Sequence, residues 1–467
     1  MPTPPPPLAG TTTGPTALRP LIDTVLTALH DGAHRRDGPL PAGGPDAVTP
    51  RTRTATHPVI PDHGTGPHHA LRTLVTALTE GAADPADPLC TAHLHTPPLA
   101  LATAADLAAS ALNASMDSWD QAPAASALEA DTAAALAAEI YPHRPTPDAL
   151  ITTGGTEANQ LALLLARERN GPVQTLCAAN AHHSITRAAW LLGLPAPIVI
   201  PAPTGVMDLT ALDEALTRHQ RPLLVTATAG TTDTGQIDPL ADIADLCATH
   251  GAELHIDAAY GGPLLFSPTH RSKVHGLDRA HSVTLDLHKL GWQPAPASIL
   301  AVPHRNHLDP LHHQAPYLNA DDDTEAGLPD LLGRSLRTTR RSDALKIAVT
   351  LQALGRTGLA DLIDRTLTTA HRLADLITET PTLDLYDRPT ISTVLFRPTG
   401  ADDKTVATIR RTLLTRGQAV LGRAHTSDRL WLKATLLNPH TTPDHLRTLL
   451  DLVNRLTNDL AEGNTPR

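Results

Sequence analysis

Between Glu253 and Trp292 the chain reads ELHIDAAYGG…HSVTLDLHKLGW, and this stretch narrows the folds open to it. Residues 254–256 form a short apolar run that stops at Asp257, and residues 282–287 form a second that stops at His288-Lys289. Glycine, proline and charge separate the two runs, so both read as buried strands and not as one helix. Each strand exit then delivers one ionisable group, a carboxylate and an amine. The same rhythm starts earlier. ALITTGGTEANQLALLLARER, residues 149–169, reads as strand, glycine turn and helix, and further strands are expected over 175–179 and 223–227. Alternation of strand and helix from 149 to 290 predicts an α/β architecture with a mainly parallel sheet, which meets its ligands at the carboxyl ends of the strands.

At 467 residues the chain exceeds the size at which one core keeps growing, so a large domain with a smaller companion is expected. Aromatic residues are only 2% of the chain, so the core must be built from aliphatic side chains. The formal charge of −11, with dispersed arginines, argues against nucleic acid as a partner. Cys90, Cys177 and Cys247 lack metal spacing and suit reduced thiols. His57, His63, His68 and His69 match no ligand pattern and read as loop polarity. No run approaches the roughly 18 apolar residues of a membrane span, and MPTPPPPLAGTTTGP is not a signal peptide, so a cytoplasmic protein is expected.

An aspartate and a lysine at neighbouring strand ends could form a plain buried ion pair. HIDAAYGG followed by DLHKLGW resembles instead the group II pyridoxal 5'-phosphate (PLP) decarboxylases, the family that acts on aromatic amino acids, glutamate and diaminobutyrate. The resemblance implies PLP fold type I, with a seven-stranded-type sheet, helices on both faces, a helical N-terminal segment and a small α+β C-terminal domain. It also implies that Lys289 is the Schiff-base lysine, that Asp257 keeps the pyridine nitrogen protonated, and that His288 forms a dyad with Lys289. Four more motifs carry over position by position. TTGGTEAN resembles the phosphate cradle, which assigns Gly155 and Thr156. In NAHHSITRAAW the AHxSxxRA frame assigns His182 to stack on the cofactor ring and face the substrate carboxylate, although His183 replaces the family's usual small residue. TAGTTDTG places Thr232 near the phenolic oxygen, and Ala259 would pack on the ring face opposite His182. Asp286 would lie near the phosphate, where the aromatic branch often has Asn.

CTAHLHTPPLA resembles the family's substrate loop and assigns His93 and Thr96 to the pocket, much of which forms at a homodimer interface in the family. In QAPYLNADDDTEAG, the family's lid, Tyr317 would protonate the substrate carbon after CO2 leaves. Arg340 and Arg341 read as structural ion-pair partners. SMDSWDQ, DLHKLGWQP and YLNADDDTEAG are similar to the branch that acts on diamino acids in siderophore pathways, so the expected substrate is cationic, with lysine first and ornithine and 2,4-diaminobutyrate behind it. An aminotransferase or desulfurase of the same fold type would share Asp257 and Lys289 but gives no reason for His288 or Tyr317. A catalytically silent scaffold is the other alternative. The expected organisation is a disordered tail over 1–16, a helical segment over 17–98 with an irregular linker between two helices, a cofactor domain over 99–357 and an α+β domain over 358–467. Asp238 is expected to cap a helix that begins with Pro239.

Overall fold

The computed structural model describes residues 5–312, 315, 318 and 320–462, and Tyr317 lies outside them. The chain divides into two compact units: Pro98–Thr368 with Pro389–Thr393, and Met1–Pro97 with Thr369–Arg388 and Val394–Arg467. The segment read as a separate helical piece is therefore grouped with the C-terminal residues. It holds α1 (Gly14–Arg36), α2 (Gly44–Thr56) and α3 (Pro67–Glu80). Helix α2 lies in the stretch expected to be an irregular linker. Pro45 sits in its first turn, where a missing N–H costs nothing, and none of its residues is buried, so no apolar periodicity announces it. The tail expected to be disordered is described from residue 5, and its last residues already belong to α1.

The larger unit opens with α4 (Ala100–Leu112) and α5 (Pro123–Ile140). Strand–helix units follow: β1 (Asp148–Thr152), α6 (Gly155–Asn170), β2 (Gln174–Ala178), α7 (Ser184–Leu191), β3 (Ile198–Ile200), α8 (Leu209–Arg218), β4 (Leu223–Thr228), α9 (Leu240–His250) and β5 (Glu253–Asp257). Strands β6 (Ser282–Asp286) and β7 (Ser298–Val302) complete a seven-stranded sheet in the order β1-β7-β6-β5-β4-β2-β3. The steps from β3 through β6 are parallel, whereas β7 runs against both β6 and β1. Such a sheet must be covered on both faces, and β1, β4, β6 and β7 are buried along their whole lengths. Two of these strands, β3 and β7, are absent from the sequence reading. The fold is PLP fold type I, with helices flanking the sheet.

Asp238 does not cap a helix. Its carboxylate accepts from the backbone N–H of Met207 at 2.8 Å and of Thr228 at 2.7 Å, while Pro239 occupies the cap position of α9. It clamps the loop leaving β4. Burial raises the Asp238 pKa, and the two backbone bonds oppose that rise.

Past β7 the unit continues through α10 (Asp321–Glu325) into α11 (Ala344–Thr378), which is kinked at Gly355 where φ is 61°. Arg340, just before α11, pairs with Glu129 of α5 at 2.6 Å, and Arg341 reaches Asp106 of α4 at 2.6 Å. Both arginines are the ion-pair partners expected of them. The smaller unit adds β8 (Leu383–Leu385), β9 (Thr393–Pro398), α12 (Asp403–Thr415), β10 (Gly422–Thr426), β11 (Arg429–Thr435) and α13 (Pro443–Ala461), with its sheet ordered β10-β11-β9-β8. Leu446, Leu449, Leu450 and Val453 of α13 pack with Val406, Ile409 and Leu413 of α12 in one apolar core.

Candidate active site

The site begins as a polar stripe on an otherwise apolar sheet. Register partners in parallel strands share a face, and residues two apart along a strand do as well. Thr226, His255 and Ser282 form one cross-strand row, and Thr228, Asp257 and Thr284 form the next. Asp286 continues the same face two residues beyond Thr284. Buried polar atoms need partners, and α6 supplies one for three of these residues. Asn159 Nδ2 donates to Asp257 Oδ2 at 2.7 Å, while Asn159 Oδ1 lies 2.9 Å from His255 Nε2 and accepts from Thr284 Oγ1 at 2.8 Å. The second Asp257 oxygen accepts the Ala259 N–H at 3.1 Å. The Thr226 and Thr228 hydroxyls have no hydrogen-bond partner among the described residues.

Strands β1, β2, β4, β5 and β6 all end on one edge, and their loops carry the expected residues. Lys289 Nζ is 2.9 Å from Asp286 Oδ2, whose carboxylate is 2% exposed; the His288 Nε2 is 3.5 Å from the same oxygen. Ser298 at the start of β7 donates to Asp286 Oδ1 at 2.5 Å, and His288 Nδ1 lies 3.0 Å from the Ala297 carbonyl. The glycine turn before α6 approaches the same group. A methyl on Gly155 would sit 3.0 Å from Ala259 Cβ and 3.2 Å from Asp286 Oδ2, so only glycine leaves this corner open. Thr156 follows in the first turn of α6 and is exposed. The amides of that turn and the positive end of the α6 dipole face an anion placed there.

His182 leaves β2 half-buried, with its Nδ1 2.9 Å from Ser184 Oγ and its ring 4.2 Å from that of His183. Burial lowers its pKa, opposed by the Asp257 carboxylate and reinforced by His183 and Lys289. His255 is fully buried, which pushes its pKa down to about 4. Thr232, in the loop after β4, is exposed, whereas the neighbouring Thr231 is buried and bonded to Thr234 at 2.8 Å. His93 and Thr96 belong to the smaller unit, His93 exposed and Thr96 buried. The turn after Lys289 is tight. Trp292 is fully buried at φ 51°, a left-handed conformation rare for so bulky a residue and typical of functional sites.

Asp257, Ala259, Asp286, His288, Lys289, Gly155 and His182 thus converge. Asn159, Ser184, His255, Thr284 and Ser298 join them and were not anticipated from sequence. The alternation of His255 and Asp257 along β5 was the available signal, since it puts both on one face. This donor set fits PLP: an amine for its aldehyde, a carboxylate for its ring nitrogen, and an open glycine corner at a helix N-terminus for its phosphate.

The sequence model of the pyridoxal-dependent decarboxylase conserved domain matches residues 60–399. The chain belongs to the pyridoxal-dependent decarboxylase family. It is 41% identical to the L-2,4-diaminobutyrate decarboxylase of Rhizobium meliloti (strain 1021), over 86% of this chain and 84% of that protein. The enzyme of the same name from Acinetobacter baumannii is 31% identical over 86% and 87%. Among solved structures, the glutamate decarboxylase domain of diaminobutyrate-pyruvate transaminase and L-2,4-diaminobutyrate decarboxylase from Vibrio parahaemolyticus superposes with a TM-score of 0.85 at 31% identity, covering 96% of this chain and 97% of that one. As a member of this pyridoxal-dependent decarboxylase family, the chain is a PLP-dependent amino-acid decarboxylase. Among the described residues no helix is long and apolar enough to cross a membrane.

Proposed function

We propose that this decarboxylase acts on L-2,4-diaminobutyrate, releasing CO2 and a three-carbon diamine, with ornithine and lysine as slower substrates. The observation that carries this choice is the pair of relatives named for diaminobutyrate, each matched over 86% of this chain. It reverses the order expected from the motifs, which put lysine first.

Bound PLP supplies an electron sink for the bonding pair left when CO2 departs. Lys289 would hold its aldehyde carbon. Asp257, accepting from Asn159 and from the Ala259 N–H, would face the ring nitrogen as a fixed acceptor that favours the protonated form. His182 and Ala259 would take opposite ring faces, Gly155 and Thr156 the phosphate, and Thr232 the phenolic oxygen. Asp286 would stand beside the phosphate. Its two oxygens are met in the structure by Lys289 Nζ and by the Ser298 hydroxyl. His288 would keep the Lys289 amine in place. By resemblance, Tyr317 would donate a proton to the substrate's alpha carbon, and His93 and Thr96 would contact the substrate. A homodimer, a cytoplasmic setting and a role in siderophore or polyamine-type biosynthesis belong to the same reading.

Purified protein with PLP, given 2,4-diaminobutyrate, ornithine, lysine, glutamate and tyrosine separately, should show its highest kcat/KM on diaminobutyrate, with amine formation read by mass. A higher value for glutamate or tyrosine would overturn the cationic assignment. Sedimentation of the same sample tests the dimer.

A further inference from the structure

Asn159 is fully buried, and its four contacts have a direction that chemistry fixes. A carboxylate only accepts, so the amide nitrogen must face Asp257 and the amide oxygen must face His255 Nε2. His255 Nε2 therefore carries a proton, which leaves Nδ1 to accept from Ser282 Oγ at 2.8 Å. The second Asn159 N–H donates to Ser184 Oγ at 2.8 Å. That frees the serine's own proton for His182 Nδ1, 2.9 Å away, and the Ser184 backbone N–H points at the same atom from 3.3 Å. Two donors thus converge on His182 Nδ1. A neutral His182 must then hold its proton on Nε2.

We propose that Asn159 and Ser184 are positioning residues that lock His182 in its Nε2–H tautomer while holding Asp257 in place, so that one amide sets both the imidazole on the ring face and the carboxylate at the ring nitrogen. The proposal rests on the reading that His182 meets the ring of PLP. His182 then presents a single N–H donor from its exposed nitrogen, and Asp257 keeps one orientation. A ring free to exchange tautomers would offer an acceptor part of the time, facing the substrate carboxylate with like polarity. The titratable groups whose charge acts on His182 are His183, Asp257, Asp286 and Lys289, while Nδ1 itself is met by the Ser184 hydroxyl and backbone N–H.

The test is nitrogen NMR on chain labelled with 15N-histidine, with His182→Gln assigning the His182 signals, recorded without PLP and again with it. Wild type should show a protonated Nε2 and an accepting Nδ1 in both states. Ser184→Ala, which keeps only the longer 3.3 Å backbone contact, should show both tautomers and lose roughly tenfold in kcat with a smaller change in KM, as for one lost hydrogen bond. Ser184→Thr, which restores a hydroxyl, should recover both. Asn159→Leu should act like Ser184→Ala and also weaken PLP binding, read from visible absorbance. A protonated Nδ1 in wild type, or a Ser184→Ala chain with unchanged tautomer, overturns the proposal. A correct tautomer whose signals do not move when PLP is added would instead remove His182 from the cofactor ring and overturn the role of its locked N–H there.

Discussion

Lys289 is held by the buried Asp286 carboxylate at the end of β6, and that pairing leads to the simplest expectation. Lys289→Ala should abolish turnover and covalent attachment of PLP; borohydride reduction and peptide mapping of the wild type should find the label on Lys289, and label on another lysine would refute the assignment. His255 yields a second expectation, about pH. An unfolded histidine titrates near 6.5, while burial holds folded His255 at about 4. Between those values the unfolded chain binds a proton that folded His255 does not, so the His255 contribution to stability is constant above the upper value and falls as pH drops through the window. The shift corresponds to about 3 kcal/mol at its full extent. Urea denaturation at about pH 7.5 and about pH 5 should show a smaller loss for His255→Gln than for wild type, and equal losses would assign the slope to other groups. Asp257 and Lys289 were readable in sequence because each ends an apolar run. Their supports were not: Asn159 and Asp257 lie 98 positions apart, and the sheet register that joins them leaves no local trace.

Elements are held against one another by close approach and by buried ion pairs such as Arg340–Glu129. Gly155→Ala would press a methyl against Ala259 and Asp286 and push the start of α6 outward. PLP affinity should fall about tenfold, as for an overpacked contact, measured by absorbance titration. Arg340 and Glu129 are 2% and 5% exposed at the side chain and join α5 to the segment before α11. The pair is not fully satisfied, because Arg340 Nε and Nη2 have no partner among the described residues. Glu129→Ala should cost about 3 kcal/mol by stranding the guanidinium, whereas Glu129→Leu combined with Arg340→Met should recover most of it. Urea midpoints distinguish the two cases. Strands with aliphatic runs and clear breakers were found from sequence. Three elements were not: β3 is only three residues long and flanked by prolines, β7 is aliphatic after Ser298 but nothing in such a run reports its reversed direction, and α2 buries no residue and so shows no apolar pattern. Asp238 looked like a cap because an acid before a proline usually is one, yet two backbone amides outcompeted that role.

At the scale of the whole molecule, the net charge of −11 sets the long-range field. A cationic diamino acid should be drawn in at low salt, and kcat/KM for diaminobutyrate should fall as ionic strength rises from about 0.01 to about 1 M, over which the Debye length shrinks roughly tenfold. A salt-independent kcat/KM would leave recognition to short-range contacts alone. The doubly covered sheet and the α+β companion were legible from the order of elements. The association of the N-terminal helices with the C-terminal residues was not, because it joins opposite ends of the chain. The reversal of β7 carries one last consequence. Since β7 runs against β6, the backbone leaves and re-enters the sheet at the same edge, and the Ala297 carbonyl ties that noose shut by accepting from both Leu287 and His288. Lys289 is therefore a tether on a fixed post: its four methylenes can swing to release one partner and reach the next while the loop that anchors them stays closed.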